Sequence, residues 1–547
     1  MATRSNLAVV PRDSRSGEAF DDGGAIKKTL TAEIVIALCG PMGTPLHEVA
    51  QTFKQLLLGA DFGYEKAEII RLSDEIRRHS GLVDEKSIEK LIDAGNELRK
   101  DNGAAILARF AIQKIAVDRE ALQTPIGDKT QSSLFEEKDG SAAPTVSRKW
   151  CHIIDSIKNI EELRLLRAVY GDMLHVVGVY SPIEKRIERL ERKKSPSDEV
   201  HRLINRDSGE EVSHGQRVEA TFPHADFFLR VDSETDSERK GRVQRFLDLM
   251  LGTSVMTPTP HERAMYAAYS AAMNSACLSR QVGAALTSAE GDVIATGWND
   301  VPRPFGGLYE TLERGAANDN DQRCWNLQGG RCFNDDEKDR IANAVVGKLA
   351  IAEILTNEAQ KQAAFNVIRQ DSQLKSLIEF SRAVHAEMHA LLNAAGTHGD
   401  RIRDGKLFVT TYPCHSCARH IVAAGIREVY FLEPYRKSLA TKLHADAITE
   451  REDAVDKVRL MPFDGVAPSR YLKFFAMREG GRKGKDGRMK IGLPYPVTAI
   501  TLEAIPTLES FAVRALESRG LAGPEEAREV GHSPGDGKQL EGDGNER

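Results

Sequence analysis

The stretches His385-Ala386-Glu387 and Pro413-Cys414-His415-Ser416-Cys417 decide which fold we predict for the second half of this chain. One imidazole and two thiolates suit zinc, and three protein ligands leave a fourth coordination position open for water. Glu387, two residues beyond the histidine, lies too far round a helix to bind the same ion head-on. We therefore predict a Zn²⁺ site with His385, Cys414 and Cys417 as ligands and Glu387 as the catalytic proton carrier.

Local sequence patterns place these residues at the starts of two helices. Residues 406–411 are β-rich and predict a short buried strand, after which Pro413 is expected to open a helix. Cys414 and Cys417 are three residues apart, so both should face one side of its first turn. Residues 384–392 predict the start of an apolar helix. Two helix N-termini should then meet at the metal, where their partial positive charge favours thiolates.

A purely structural zinc site is the alternative interpretation. It would need a fourth protein ligand, and His389, His415 and His420 are close enough in sequence to supply one. A glutamate at the position of Glu387 has no role in a structural site. That favours a site with an open position.

Composition limits the class of protein and its partners. The chain has 547 residues, 41% of them hydrophobic and 29% charged, which predicts a globular protein of two or more domains. A net charge of −6 argues against a nucleic-acid partner. We see no apolar stretch of transmembrane length and no signal-peptide core in residues 1–30, so no membrane partner is expected. Seven cysteines spread along the chain make no disulfide framework, which predicts a reducing, cytoplasmic location.

The first half of the chain alternates short apolar runs with charged helical segments. Residues 34–39, 151–155 and 173–180 are continuous apolar runs, typical of strands buried on both faces. Their alternation with helical segments predicts a parallel α/β sheet over residues 31–252.

Other segments complete the predicted organisation. Residues 253–260 are expected to form a linker to a second domain over residues 261–500. Residues 1–30 and 521–547 are expected to be disordered.

Gly40-Pro41-Met42-Gly43-Thr44 follows the first apolar run, at the position of a nucleotide-binding P-loop. The full motif ends in Gly-Lys-Ser/Thr, whereas this chain continues Pro45-Leu46-His47. The lysine and the magnesium-binding hydroxyl are therefore missing, although backbone N–H groups at the helix start could still attract an anion. Either residues 40–44 bind a nucleotide without phosphoryl transfer, or this domain is a scaffold with an empty pocket.

The second domain contains a predicted hairpin and a long insertion. Residues 282–287 and 293–299 flank a Glu-Gly-Asp turn, which is a hairpin pattern. An insertion follows at about residues 303–380. Its Cys324 and Cys332 have a spacing that fits no standard zinc motif, so free thiols are favoured over a second metal site.

Several of these features occur together in one known family. The segments 279–284 (Ser-Arg-Gln-Val-Gly-Ala) and 297–302 (Gly-Trp-Asn-Asp-Val-Pro), with the two metal motifs, resemble the deoxycytidylate deaminase family over about residues 261–435. The H-x-E…P-C-x-x-C pattern is that of zinc nucleobase deaminases. The resemblance implies a cytidine-deaminase-like α/β/α domain that acts on a small-molecule deoxycytidine nucleotide, with attack at C4 of the cytosine.

The resemblance also implies substrate-binding residues. It implies that Asn299 holds the sugar, the alternative being a turn asparagine that caps the hairpin. Arg280 would lie near phosphate or the wall of the metal site, unless it is a solvated or structural arginine. Lys437 belongs to the loop 433–438, whose two cations and hydroxyl could hold phosphates or simply form a surface turn.

The order of the two domains, a P-loop kinase-like domain before the deaminase domain, resembles the bacterial anti-phage dCTP deaminases over nearly the whole chain. This resemblance implies conversion of dCTP to dUTP as antiviral defense, in an enzyme held quiet until infection. We also expect a nucleotide regulator at the first domain and allow for a homo-oligomer.

Three other functions stay open at this point. One is a dCMP deaminase of nucleotide metabolism, and another is a deaminase of cytosine in single-stranded nucleic acid, for which the basic loop 478–488 is the best candidate surface. The third is a non-enzymatic nucleotide sensor with a structural zinc.

Overall fold

The structure is a computed structural model with an α/β architecture built on two six-stranded sheets. It describes residues 29–120, 148–192, 200, 218–231, 235–311, 321–433, 438–478, 481–490 and 493–521, without Lys86, Gln328 and Glu503. Apart from residues 29, 30 and 521, the segments predicted to be disordered lie outside this part, as does Lys437. Within the described part, no helix is both long and apolar enough to cross a membrane.

Twelve strands are described and are numbered in chain order. They are β1 Ile34–Cys39, β2 Lys66–Arg71, β3 Trp150–Asp155, β4 Leu174–Tyr180, β5 Phe227–Arg230, β6 Gly283–Thr287, β7 Val293–Trp298, β8 Lys406–Val409, β9 Glu428–Phe431, β10 Ile448–Thr449, β11 Val458–Pro462 and β12 Gly465–Val466.

Sixteen α-helices have described bounds. They are α1 Leu46–Leu58, α2 Leu72–His79, α3 Ile88–Asn102, α4 Ile106–Glu120, α5 Ile160–Tyr170, α6 Ile183–Arg192, α7 Val218–Thr221, α8 Asp236–Leu251, α9 Pro260–Ala272, α10 Phe333–Ile351, α11 Glu358–Asn366, α12 Ala386–His398, α13 His415–Ala423, α14 Ala440–Leu443, α15 Tyr471–Phe475 and α16 Ile505–Glu517.

The first sheet has the strand order β12-β5-β4-β1-β3-β2, and its strands are parallel except for β12. Every residue of β1 is buried, because helices cover both faces of the central strand. The predicted parallel sheet is confirmed in β1, β3 and β4. Three further strands, β2, β5 and β12, were not predicted. β2 (Lys-Ala-Glu-Ile-Ile-Arg) is an edge strand with charged residues, and β5 is only four residues long.

The second sheet has the order β10-β11-β9-β8-β6-β7. Strands β6 and β7 form the predicted antiparallel hairpin, with a register shift between Leu286 and Thr287. β8 runs antiparallel to β6, whereas β8, β9, β11 and β10 are mutually parallel. The sheet is therefore mixed. Its parallel part begins at β8, the strand that precedes Cys414 and Cys417 in the chain.

Two glycines allow helices to lie unusually close to the second sheet. A Cβ on Gly283 would lie 1.9 Å from the carbonyl oxygen of Ala268 in α9. A Cβ on Gly297 would lie 2.3 Å from the backbone nitrogen of Ala390 and 2.5 Å from the carbonyl oxygen of Ala386, both in α12. Only hydrogen fits at these two positions, so they fix the distance of α9 and α12 from the hairpin.

After β11 the chain returns to the first sheet. β12 pairs with β5, and α16 packs against α4 and α5 of the first half. A buried ion pair joins Arg119 to Glu509 across this contact, with Nε 3.2 Å from Oε2. The segments that follow β11, both within residues 261–500 and beyond them, therefore help to cover the first sheet. The division of the chain into domains stays a prediction.

Glu262 is the side chain that joins the two sheets. Its carboxylate accepts two hydrogen bonds from Arg245 of α8, at 2.9 and 2.8 Å, and another from the backbone N–H of Val466 in β12, at 2.9 Å. It also completes the capping box with Thr259 at the start of α9. One buried carboxylate thus connects a helix of the first half, the first helix of the second half and the returning strand.

Gly297→Ala should destabilise the protein, because its methyl group would collide with the backbone of α12. Overpacking of this kind costs about 1–3 kcal/mol, so we expect a lower urea denaturation midpoint. Gly396→Ala is the matched control, since it lies in α12 itself and its Cβ would meet nothing within 4 Å. That change should raise stability by roughly 0.5–1 kcal/mol through helix propensity. Equal midpoints for the two variants would contradict the packing described here.

Candidate metal centre

The three predicted ligands meet at the N-termini of two helices. His385 is the N-cap of α12 and Cys414 is the N-cap of α13, with Cys417 in the first turn of α13. The Nδ1 atom of His385 lies 3.3 Å from the Sγ atom of each cysteine. The three donor atoms lie within 4.8 Å of one another, and no other group of this kind occurs in the described residues. The predicted ligand set is brought together as expected.

The helix bounds differ slightly from the sequence prediction. α12 begins at Ala386 rather than at residue 384, and α13 begins at His415 rather than at Pro413. In both cases the ligand itself is the capping residue, with extended backbone angles that turn its side chain back over the helix end. The strand predicted for residues 406–411 ends at Val409.

The electrostatic environment of this site favours a thiolate, which attracts a cation. A hydrogen bond shared with Cys417, together with the neighbouring His385, lowers the pKa of Cys414 to about 4. The same bond raises the pKa of Cys417, which is almost fully buried. The two sulfurs therefore hold one proton at neutral pH, and a divalent ion would displace it, because thiolates are the form that binds metal.

Glu387 lies in the first turn of α12 with only 4% of its surface exposed. Burial raises the pKa of its carboxyl, and the neighbouring Cys414 raises it further. A carboxyl group whose pKa is moved toward neutrality can both accept and donate a proton at physiological pH. It is placed for this next to the ligands, since His385 and Cys417 are among the groups that influence it.

The three histidines proposed as a fourth ligand have other contacts. Nδ1 of His389 accepts from the backbone N–H of Trp298 at 3.2 Å, and its Nε2 lies 3.2 Å from the Asn393 amide. His415 faces Glu379, and His420 bonds the carbonyl of Ser416 at 2.8 Å. None of these three histidines belongs to the metal-binding group, so the four-ligand structural site is not supported.

The donor set fits Zn²⁺. Two sulfurs and one imidazole nitrogen are the ligands of catalytic zinc sites that keep a position open. Calcium and magnesium would require oxygen ligands instead. The cofactor of this site is zinc.

Two of the predicted substrate-binding residues, Arg280 and Asn299, flank the hairpin, one before β6 and one after β7. The Asn299 side chain accepts from the N–H of Val282 at 2.7 Å and donates to the carbonyl of Arg280 at 2.8 Å. Both of its polar atoms thus hold the loop before β6, as the alternative of a structural turn asparagine requires. Its sugar-binding role stays a prediction. Arg280 is half-exposed, with Nη2 3.2 Å from Glu433.

Some residues near the site were missed by sequence reasoning. Glu433 is buried, and burial raises the pKa of its carboxyl despite the contact with Arg280. The hydroxyl of Tyr412, two residues before Cys414, donates to Glu450 at 2.6 Å. Gly297 sets the position of α12. The only sequence signal for this role of Gly297 was its place beside Trp298 in the predicted hairpin.

Three cysteines outside the centre line one small cavity. Cys277, Cys324 and Cys332 surround it together with residues 381–383. Within the described part of the chain, the sulfurs of these three cysteines do not belong to a group of ligand atoms as close together as those of the metal centre. None of the three cysteines forms a disulfide, and the interpretation of Cys324 and Cys332 as thiols without a metal stays a prediction.

Comparison with known proteins agrees with this geometry. Residues 258–433 match the family described as the cytidine and deoxycytidylate deaminase zinc-binding region. The second half of the chain contains a deaminase domain. The match includes all three ligands, Glu387 and the hairpin.

Individual relatives match stretches of different length. A 175-residue stretch is 26% identical to the deoxycytidylate deaminase of Enterobacteria phage T2, covering 31% of this chain and 78% of that protein. A 219-residue stretch is 24% identical to a UPF0200 protein of Saccharolobus solfataricus, covering 40% of this chain and 94% of the relative. The solved dCMP deaminase of cyanophage S-TIM5, in complex with dCMP and dUMP, is 21% identical with a TM-score of 0.22. It covers 38% of this chain and 99% of its own.

Cys414→Ala should remove the metal, because two remaining donors cannot hold zinc tightly. We expect about one zinc per chain in the native protein and almost none in the variant, measured by inductively coupled plasma mass spectrometry. Cys332→Ala is the control and should keep its zinc, since Cys332 lies outside the ligand group. Full zinc occupancy in Cys414→Ala would refute the ligand assignment.

Proposed function

We propose that this protein deaminates a free deoxycytidine nucleotide by hydrolysis, with dCTP as the substrate and dUTP as the product. Draining dCTP would deprive an infecting phage of a DNA precursor, which makes the enzyme an antiviral defense. The observation that carries the proposal is a three-ligand zinc centre beside a buried glutamate, with no fourth protein donor in the described residues. A structural site would have no use for that arrangement.

The chain's own residues account for the proton transfers. Zinc, when bound, supplies an acidified water molecule as the nucleophile. The Glu387 carboxylate accepts the proton of this water and delivers it to the ring nitrogen N3 as C4 is attacked. It then takes the proton of the new C4 hydroxyl and delivers it to the amino group, so that the C4–N bond breaks, ammonia leaves and a C4 carbonyl remains. The raised pKa of Glu387 suits both directions of transfer.

A free nucleotide is favoured over single-stranded nucleic acid as the substrate. Binding a strand requires aromatic side chains on which bases stack. The aromatic residues before the basic loop 478–488 are already engaged. Tyr471 stacks on Tyr266 at 4.2 Å and contacts Phe475, and Phe474 is buried against the first sheet beside Phe246. The net charge of −6 agrees with this choice.

The choice of dCTP rests on the order of the two domains, which resembles the anti-phage dCTP deaminases. The rival substrate is dCMP, which is favoured by the similarity to the phage T2 deoxycytidylate deaminase. The two nucleotides share the base and sugar, so the zinc centre treats them alike. Discrimination between them depends on groups that meet the phosphates.

Glu387→Gln should keep the zinc and abolish turnover. The amide cannot take up the water proton, and loss of such a general base lowers kcat by about 10²–10⁴-fold. Ammonia release and zinc content are measured on the same preparation. Glu379→Gln, an exposed carboxylate that contacts His415, is the control and should retain turnover. Normal turnover by Glu387→Gln would remove this residue from the mechanism.

Ammonia release from a panel of substrates tests the substrate class. The purified protein is offered dCTP, dCMP, cytidine and a cytosine-bearing oligonucleotide, with and without added nucleoside triphosphates. We expect release from dCTP, at a kcat/KM at least tenfold above that for dCMP. Preference for dCMP would make the protein a nucleotide-metabolism enzyme, and release from the oligonucleotide alone would overturn the free-nucleotide proposal. No release from any of them would favour the nucleotide sensor.

A further inference from the structure

A cavity lies at one edge of the first sheet, whereas the zinc centre belongs to the second sheet. The cavity has a volume of about 280 Å³ and lies outside the carboxyl ends of three neighbouring strands, β1, β3 and β2. Residues 41–48 line it after β1, Asp155 and Ser156 after β3, and Arg71 at the end of β2. Open parallel sheets bind ligands at this edge, where the strand order reverses. The volume is close to the lower limit of small-molecule sites.

The walls of this cavity differ in character. One wall carries cations: Arg71, Arg99, Lys158 and Arg189 all line it, against the two carboxylates Glu48 and Asp155. Arg99 is neutralised by Glu162 at 2.8 Å, but the remaining cations still exceed the carboxylates. The other wall is apolar and consists of Ile76, Ile88, Leu91, Ile92, Leu107 and Leu190. A ligand with an anionic end and an apolar body would match both walls.

Two backbone N–H groups of the loop after β1 are already engaged in hydrogen bonds within the loop. The N–H of Thr44 donates to the carbonyl of Pro41 at 3.1 Å, and that of Leu46 to the carbonyl of Thr44 at 2.9 Å. Two carbonyls of the loop are held from α6 instead. Arg186 donates to Met42 at 2.6 Å and Arg189 to Gly43 at 3.1 Å. These two N–H groups are not available to a ligand, so cationic side chains of the cavity have to supply part of the positive charge.

One polar atom in the loop awaits a partner. The hydroxyl oxygen of Thr44 is buried and makes no hydrogen bond to any described residue, although Thr44 lines the cavity. An unsatisfied buried hydroxyl is costly, and a ligand oxygen at this place would remove the cost.

The magnesium machinery of a phosphoryl-transfer site is replaced here. Leu46 is buried where the motif has its lysine, and His47 follows where the motif has its metal-binding hydroxyl. The Nδ1 atom of His47 lies 3.2 Å from Asp155 at the end of β3. An imidazole paired with this carboxylate takes the place where a magnesium ion would bind both groups.

We propose that the first-sheet cavity binds a nucleotide by its phosphate end without magnesium and without phosphoryl transfer. Arg71, Lys158 and Arg189 meet the phosphate oxygens, and the Thr44 hydroxyl donates to one of them. The apolar wall receives the nucleoside. This site lies outside the deaminase domain, and the proposal does not depend on the reaction catalysed there.

Isothermal titration calorimetry on the full-length, zinc-loaded protein tests this site, with ADP and inorganic pyrophosphate as probes and no added magnesium. We expect ADP to bind, at least tenfold more tightly than pyrophosphate because of the apolar wall. Adding magnesium should leave the affinity unchanged or lower it, and ATP should not be hydrolysed. Failure of ADP to bind, equal affinity for pyrophosphate, or a requirement for magnesium would each overturn the proposal.

Arg71→Gln should weaken ADP binding roughly tenfold, the usual effect of losing one charged hydrogen bond. Lys100→Gln is the matched control: it removes one positive charge from an exposed residue of α3 that does not line the cavity. Its affinity for ADP should equal that of the native protein. Both variants should keep their zinc and their denaturation midpoint, and an equal loss of affinity in both would show that only net charge matters, against the proposal.

Discussion

The second half of the molecule depends on the convergence of two helix N-termini on one small volume. His385 caps α12 and Cys414 caps α13, and the Nδ1 atom of His385 lies 3.3 Å from both sulfurs. Neither helix reaches this place by itself. α13 follows β8 directly, whereas α12 is positioned by backbone contact with Gly297 in β7. His385 at the start of α12 is therefore positioned by the sheet through Gly297, where no side chain fits.

The sequence predicts the parts of the structure in which local pattern and tertiary environment agree. The buried run of β1, the β6–β7 hairpin and the ligand trio follow from short motifs. Other features have no local signal. β2 carries Lys66, Glu68 and Arg71 because an edge strand is partly solvated, so its pattern is that of a surface segment. The return of β12 to the first sheet is set by contacts with residues more than two hundred positions earlier.

The chemical type of a functional side chain is easier to predict from the sequence than the groups to which it forms hydrogen bonds. Asn299 was expected to hold a sugar or to cap the hairpin turn, and its amide bonds the backbone of Arg280 and Val282, two groups that the sequence did not identify. Glu262 was not singled out from the sequence, yet it accepts hydrogen bonds from Arg245 and Val466 on two other elements. A carboxylate buried this deeply is tolerated only because its hydrogen bonds are satisfied. Which groups satisfy it depends on the whole fold.

The two halves of the chain both line one surface groove. Helix α6 holds the loop after β1 through Arg186 and Arg189, and its first turn shares a surface groove with residues 450–453. Glu450 in that segment accepts the hydrogen bond of Tyr412, two residues before Cys414. The loop of the first-sheet cavity and the segment before Cys414 are thus each bonded to a residue or helix that lines the same groove. This arrangement becomes regulation only if a cavity ligand favours one arrangement of residues 450–453 over another. In that case linkage requires the deaminase substrate to change the affinity of the cavity for its ligand by the same factor.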